Sequence, residues 1–159
     1  MFSVSFIIPC YNSEHFIFSN IKKTIKEAKR LKINYEIIII NDGSTDNTAI
    51  KVNKLKKIYK TIKFIDSKKN NGKSFSIRKG LDLSKFNYVV LLDADLPYFS
   101  YIPKIISELR KDIDLVIIDR NHPLSSLTNK PLSLYQFFRK SIGKLISKII
   151  FYILNIHLG

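Results

Sequence analysis

Five short apolar runs punctuate the chain, at residues 4–8, 36–40, 62–65, 88–92 and 115–118. They begin at intervals of roughly 25 to 33 residues, the spacing of repeated βα units. The runs are rich in β-branched residues and nearly continuous in hydrophobicity rather than alternating, so they predict strands covered on both faces. Between them the period becomes helical. Ile17, Ile21, Ile25 and Ala28 recur at steps of four and three, the stripe of an amphipathic helix. Ala49, Val52 and Leu55 mark a second helix, with Asp46 as its candidate cap. The pattern predicts an α/β fold, a three-layer sandwich around a mostly parallel central sheet.

In an open sheet of this kind ligands bind beyond the carboxyl ends of the strands, so the polar residues following each run are the candidates for function. Pro9-Cys10-Tyr11-Asn12-Ser13-Glu14 follows the first run and Asn41-Asp42-Gly43-Ser44-Thr45-Asp46 the second. Asp93-Ala94-Asp95 follows the fourth and Asp119-Arg120 the fifth. Taken singly, these are ordinary turn and cap residues. On one sheet edge they offer more: an aromatic surface at Tyr11, an amide at Asn12, and at Asp42 an acceptor for a base N–H or a ribose hydroxyl. Asp93 and Asp95, two carboxylates one residue apart, suit one divalent cation held against a diphosphate. The segment 70–80 follows the third run and opens a predicted helix, bringing Gly72, Lys73 and Arg78 to a helix N-terminus that suits a phosphate. It is not a Walker loop, because the preceding glycine spacing is missing.

The length of 159 residues fits one domain with a real core. A hydrophobic content of 45%, with 11 Phe and 8 Tyr and no low-complexity tract, reads as globular rather than disordered. Cys10 is the single cysteine, which excludes an internal disulfide and a cysteine-based zinc site and points to a reducing compartment. The first apolar run is brief and ends at Pro9, unlike a signal peptide, and the expected location is cytoplasmic. The formal charge of +14 favours anionic partners: nucleotide, nucleic acid or an acidic membrane surface.

With these motifs in this order, the chain resembles the family 2 glycosyltransferases of the GT-A (Rossmann-like) fold over residues 4 to about 120. It is similar in particular to the branch that makes polyprenyl-phosphate sugars, such as dolichol-phosphate mannose synthase. The resemblance implies that Pro9, Tyr11, Asn12, Glu14, Asp42, Gly43, Lys73 and Asp93 surround the nucleotide. It implies that Asp93 and Asp95 carry Mg²⁺ or Mn²⁺ on the diphosphate, that Arg120 faces the donor or acceptor phosphate, and that transfer inverts the anomeric carbon. Asp93, Asp95 and Arg120 are then the catalytic set. Two positions depart from the family pattern. Pro97 stands where a Gln or Ser often lies two residues after the second metal aspartate, and Asn41 replaces the first Asp of the usual Asp-Asp-Gly-Ser.

Residues 1–125 are expected to form the nucleotide-sugar core and 126–159 a basic amphipathic helical segment. There Leu134, Phe138, Ile142, Leu145, Ile149 and Ile153 fall on one stripe and Lys140, Lys144 and Lys148 on another, a pattern that suits either a membrane interface or the domain's own sheet. The apolar stretch 149–154 is too short to span a bilayer, so membrane contact is expected to be peripheral, at the cytoplasmic face, unless a partner subunit supplies the spans. No Asp or Glu follows Asp119, which leaves no downstream carboxylate to act as general base, with His122 and His157 the remaining candidates. A phosphate monoester, with a second pKa of about 6, needs none, which favours a lipid-phosphate acceptor met by Arg120, Lys130, Arg139, Lys140 and Lys144. The expected function is transfer of a hexose from a GDP- or UDP-sugar to polyprenyl or dolichyl phosphate. Two alternatives stand beside it: a nucleotide-sugar-binding subunit or truncated transferase with little activity alone, and a basic nucleic-acid-binding domain that no recognisable module supports.

Overall fold

The computed structural model describes residues 2–111 and 113–118. Four of the apolar runs are strands, β1 (Ser3–Cys10), β2 (Asn34–Asp42), β3 (Ile62–Ser67) and β4 (Tyr88–Leu91), all parallel and ordered β3-β2-β1-β4. The central pair has neighbours on both sides, so its backbone is satisfied by ladders and its two faces must be covered by side chains packed from above and below. Val4, Phe6, Ile7 and Ile8 on β1 and Ile37 to Ile40 on β2 are accordingly closed to solvent. Each such side chain contributes about 1.5–3 kcal/mol relative to exposure.

The helices are α1 (Ile17–Arg30), α2 (Thr48–Ile58), α3 (Lys73–Asp82) and α4 (Ile102–Leu109), the last entered through a short 3-10 turn at Phe99–Tyr101. Ile17, Ile21, Ile25 and Ala28 of α1 and Val52 and Leu55 of α2 pack with Phe6, Ile8, Ile37 and Ile39 in one core, which Ile102 and Ile106 of α4 join. Ile7, Ile38 and Ile40 point to the other face. That face is covered by α3, where Gly80 rests on Ile7 and Ile40 so closely that a Cβ would overlap Ile7. Helices therefore lie on both sides of the sheet, the predicted three-layer sandwich. The compact unit containing it is Met1–Val116. The expected boundary at 125/126 and the helical segment 126–159 lie outside the described residues.

The fifth run is a correction. Residues 115–118 form no strand: Leu115 is 70% and Ile117 75% exposed, while Val116 packs against the core. An apolar run signals the capacity to be buried, but a strand also needs a ladder partner. Among the described residues the sheet instead ends at the four-residue β4, which pairs with β1. The predicted cap of α2 is displaced by one residue: Asn47 occupies the cap position without a capping bond, and Asp46 Oδ1 accepts the Thr48 N–H at 2.9 Å.

The strand order sets the position of everything that follows. The chain steps outward from β1 to β2 to β3, then returns with α3 to the other side of β1 to lay down β4. At β1 the chain's direction across the sheet reverses, with β2 laid down on one side and β4 on the other, and the strand ends open there into a crevice.

Far from that crevice, Glu36 is 2% exposed on the α3 face. Its carboxylate accepts from Ser5 Oγ at 2.6 Å and Lys85 N–H at 2.8 Å and pairs with Lys63 Nζ at 2.8 Å, fastening the α3–β4 loop to the sheet. Burial works to raise its pKa, but the bonds from Lys63, Ser5 and Lys85 outweigh that and hold the carboxyl below its ordinary 4.5. A carboxyl with a lowered folded pKa stabilises the fold above its unfolded pKa and loses that contribution as pH falls through the folded value. Lys63→Met is expected to cost about 1–3 kcal/mol at pH 7. Glu36→Gln is expected to flatten the loss of stability below about pH 4.5. Urea unfolding at stepped pH measures both.

Candidate functional site

At the switch point between β1 and β4 the structure opens a cleft of about 360 Å³. Pro9, Cys10 and Tyr11 from the end of β1 form one wall, and Asp93, Ala94 and Asp95 from the end of β4 another. Asp42 from the end of β2, with Gly72, Lys73 and Ser76 from the start of α3, completes the lining. Tyr11 is 49% exposed and offers its ring to the cleft as a stacking surface.

Asp42 organises the α3 side. It is 4% exposed, and its two carboxylate oxygens accept the N–H groups of Asn71 and Gly72, each at 2.9 Å. Gly72 has φ 89° and ψ 156°, a backbone region that only glycine occupies without strain. That conformation turns the chain into α3 and carries Lys73 across the cleft, where its ammonium pairs with Asp93 Oδ1.

The Asp93–Asp95 turn is held from two sides. Leu96 N–H donates to Asp93 O at 2.9 Å, with Leu96 at φ 51° and its side chain in the core. A non-glycine residue there stores roughly 1–3 kcal/mol of strain and persists only under firm anchoring. Asn20 supplies a second anchor, its Nδ2 donating to Ala94 O at 2.9 Å from the buried face of α1. Sequence reasoning missed Asn20, whose signal is a polar residue inside the apolar stripe that Ile17 and Ile21 define. Among the described residues no group of three His, Cys, Asp or Glu is placed to hold a metal ion. Asp93 and Asp95 are a pair, which fits a hard cation that completes its shell with water and phosphate oxygens rather than with further protein ligands.

Other expected residues serve the loops. Asn12 Oδ1 accepts the Thr45 N–H at 2.9 Å and Asn12 N–H donates to Ser44 Oγ at 2.9 Å. Glu14 Oε2 accepts the Asn47 N–H at 3.0 Å, and that bond is the main reason its carboxyl sits below the ordinary value. Gly43 backs onto the β3–α3 loop, where a Cβ would lie 2.6 Å from Asn70 N and Lys69 C. None of these three lines the cleft. Asn41 is engaged by Asp66, to which its Nδ2 donates at 2.7 Å, and by the Ser44 hydroxyl, which donates to its Oδ1. Cys10 is buried among Asp46, Asp66 and Asp42, and burial first, then those charges, push its thiol up to about 12, so it is no nucleophile. Arg120, Lys130, Arg139 and Lys140 lie outside the described residues.

The chain is similar to known proteins over much of its length. Residues 5–155 match the profile of Glycosyl transferase family 2. The chain belongs to that family. Its relatives include CsbB of Bacillus subtilis (strain 168), 32% identical over 142 residues, which span 87% of this chain and 43% of CsbB. Poly-beta-1,6-N-acetyl-D-glucosamine synthase of Staphylococcus aureus (strain COL) is 39% identical over 93 residues, 58% of this chain and 21% of the synthase. The chain thus spans less than half the length of these curated relatives. Two solved structures share the fold at 23% identity. Mannosyltransferase PcManGT from Pyrobaculum calidifontis, in complex with GDP-Man and Mn²⁺, has a TM-score of 0.51 over 58% of this chain and 27% of its own. S. aureus TarS 1-349, in complex with UDP-GlcNAc, has a TM-score of 0.54 over 67% of this chain and 31% of its own. The GT-A α/β architecture is therefore the family's.

Within this family member, Gly72→Ala tests the α3 entry. A Cβ at Gly72 meets nothing within 4 Å, so any cost is conformational. A loss of about 1–3 kcal/mol in urea unfolding is expected, with faster amide exchange at positions 71 and 72.

Proposed function

We propose that this chain carries the donor site of an inverting, divalent-metal-dependent glycosyltransferase that moves a hexose from a GDP- or UDP-sugar. The observation that carries the reading is the convergence of Tyr11, Asp42, Lys73, Asp93 and Asp95 on one cleft at the switch point. In this reading the base stacks on Tyr11 and its N–H donates to Asp42, which keeps acceptor capacity beyond its two amide bonds. Asp93 and Asp95 hold Mg²⁺ or Mn²⁺, with Mn²⁺ favoured by the company it keeps in the PcManGT complex. When bound, the cation neutralises the charge that grows on the departing nucleoside diphosphate. Lys73 adds a second positive charge at the same phosphates.

The lining supports a metal on electrostatic grounds as well. Three aspartates face one lysine, so the cleft is acidic although the chain as a whole carries +14. A diphosphate entering alone would meet like charge, and a divalent cation reverses that balance.

For the acceptor, the reading keeps polyprenyl phosphate at the cytoplasmic face of a membrane, with Arg120, Lys130, Arg139 and Lys140 toward the phosphate and a membrane-spanning partner where one is needed. Its support is chemical. Asp42 is engaged by amides and Asp93 by Lys73, and an acceptor that arrives ionised needs no further base. A sugar hydroxyl is the second reading, favoured by the 39% identity with a polysaccharide synthase. Among the described residues no helix is long and apolar enough to cross a membrane.

Calorimetric titration with UDP, GDP and their sugars, with and without Mn²⁺, tests the donor site. Metal-dependent binding is expected, weakened about tenfold or more in Asp95→Ala with the melting temperature unchanged. Absence of nucleotide binding sinks the donor reading, and binding indifferent to Mn²⁺ and to Asp95→Ala sinks the metal assignment. Product formation with polyprenyl phosphate or with an oligosaccharide decides the acceptor, and binding without turnover on either identifies a binding subunit.

A further inference from the structure

Ser76 stands on α3 one turn beyond Gly72, on the face of the helix that Gly80 presses against Ile7 and Ile40. It is fully buried, and its Oγ has no hydrogen-bond partner among the described residues. Its backbone N–H is served by Gly72 O at 3.3 Å, but the hydroxyl does not follow the common route back to a carbonyl of the preceding turn. A buried hydroxyl without a partner is a net cost to the fold, and alanine at the same place would fill the space and favour the helix. The residue nevertheless lines the cleft, as Pro9 and Asp42 do. One turn before the contact of Gly80 with Ile7 and Ile40, it stands toward the ends of β1 and β2, the strands that give Pro9 and Asp42 to the lining.

Asp42 presents acceptor lone pairs there, and Ser76 an unused donor. A carboxylate acceptor next to a hydroxyl donor complements a ring N–H adjacent to a carbonyl, the edge that uracil offers at N3–H and O4 and guanine at N1–H and O6. We propose that Ser76 Oγ is a specificity-determining contact that donates to the base carbonyl beside the N–H taken by Asp42. The inference rests on the donor reading above and adds to it a residue and a recognised edge. Lys73 then serves the phosphates and Ser76 the base, from successive turns of one helix.

A hydroxyl kept for a ligand and a hydroxyl kept for the fold respond oppositely to Ser76→Ala. For the first, the variant melts at the same or a higher temperature and binds UDP or GDP about 5- to 10-fold more weakly in the presence of Mn²⁺, while its affinity for Mn²⁺-pyrophosphate is unchanged. Unchanged nucleotide affinity overturns the contact and leaves the donor site standing. A parallel loss of pyrophosphate affinity moves the contact to the phosphates and overturns base recognition. A lowered melting temperature with no loss of nucleotide affinity in the surviving fold assigns Ser76 to structure alone. A wild-type protein that binds neither UDP nor GDP removes the donor reading, and the Ser76 contact with it.

Discussion

One carboxylate, that of Asp42, decides where α3 begins. Asp42 is the last residue of β2, in register with Ser67 at the end of β3, so the ladders fix its position before any loop is considered. From there it takes the amides of Asn71 and Gly72 ahead of a helix N-terminus, the second of them shared with Asn70 Oδ1 at 3.1 Å. A charge-assisted bond to each amide holds the glycine in a conformation no other residue adopts cheaply. Lys73 is next in the chain, and its reach to Asp93 follows from that anchoring. The same residue that faces the cleft therefore ties the end of β2 to the loop after β3 and, through Lys73, to the turn after β4.

The sequence made the core legible because a parallel sheet hides both faces of its central strands, leaving unbroken apolar runs at Ile7 and at Ile37 to Ile40. Strand ends were less visible. β1 reaches Cys10 and β2 reaches Asp42, beyond their apolar stretches, because ladder bonds depend on register and not on side-chain polarity. The fifth run shows the converse failure, hydrophobicity without a strand to pair with among the described residues.

In the site, Tyr11, Asp42, Lys73, Asp93 and Asp95 were readable as polar residues delivered by the ends of apolar runs. Asn12, Glu14 and Gly43 share that position and that chemistry, yet they lace one loop to the next. Residues that lace loops and residues that line the cleft draw on the same side chains, and only the partner tells them apart. Asn20 and Ser76 were hidden for a related reason. Asn20 meets a carbonyl 74 residues away, and a serine on the sheet-facing side of a helix looks in sequence like any small core residue.

The Lys73–Asp93 pair places a cation already on a carboxylate that the proposed reading gives to a metal. The two roles exclude each other at that oxygen, and this has a thermodynamic consequence. A divalent ion arriving alone must displace the ammonium, and a nucleoside diphosphate arriving alone meets three aspartates against one lysine. Arriving together, the ion takes the carboxylates and the displaced ammonium finds the phosphates, so each ligand removes the cost of binding the other. Such coupling is reciprocal, because the factor by which metal improves nucleotide affinity must equal the factor by which nucleotide improves metal affinity. On that reading the acidic cleft in a basic protein admits its anion only with a metal partner, and Lys73 holds the place of the metal until both are present.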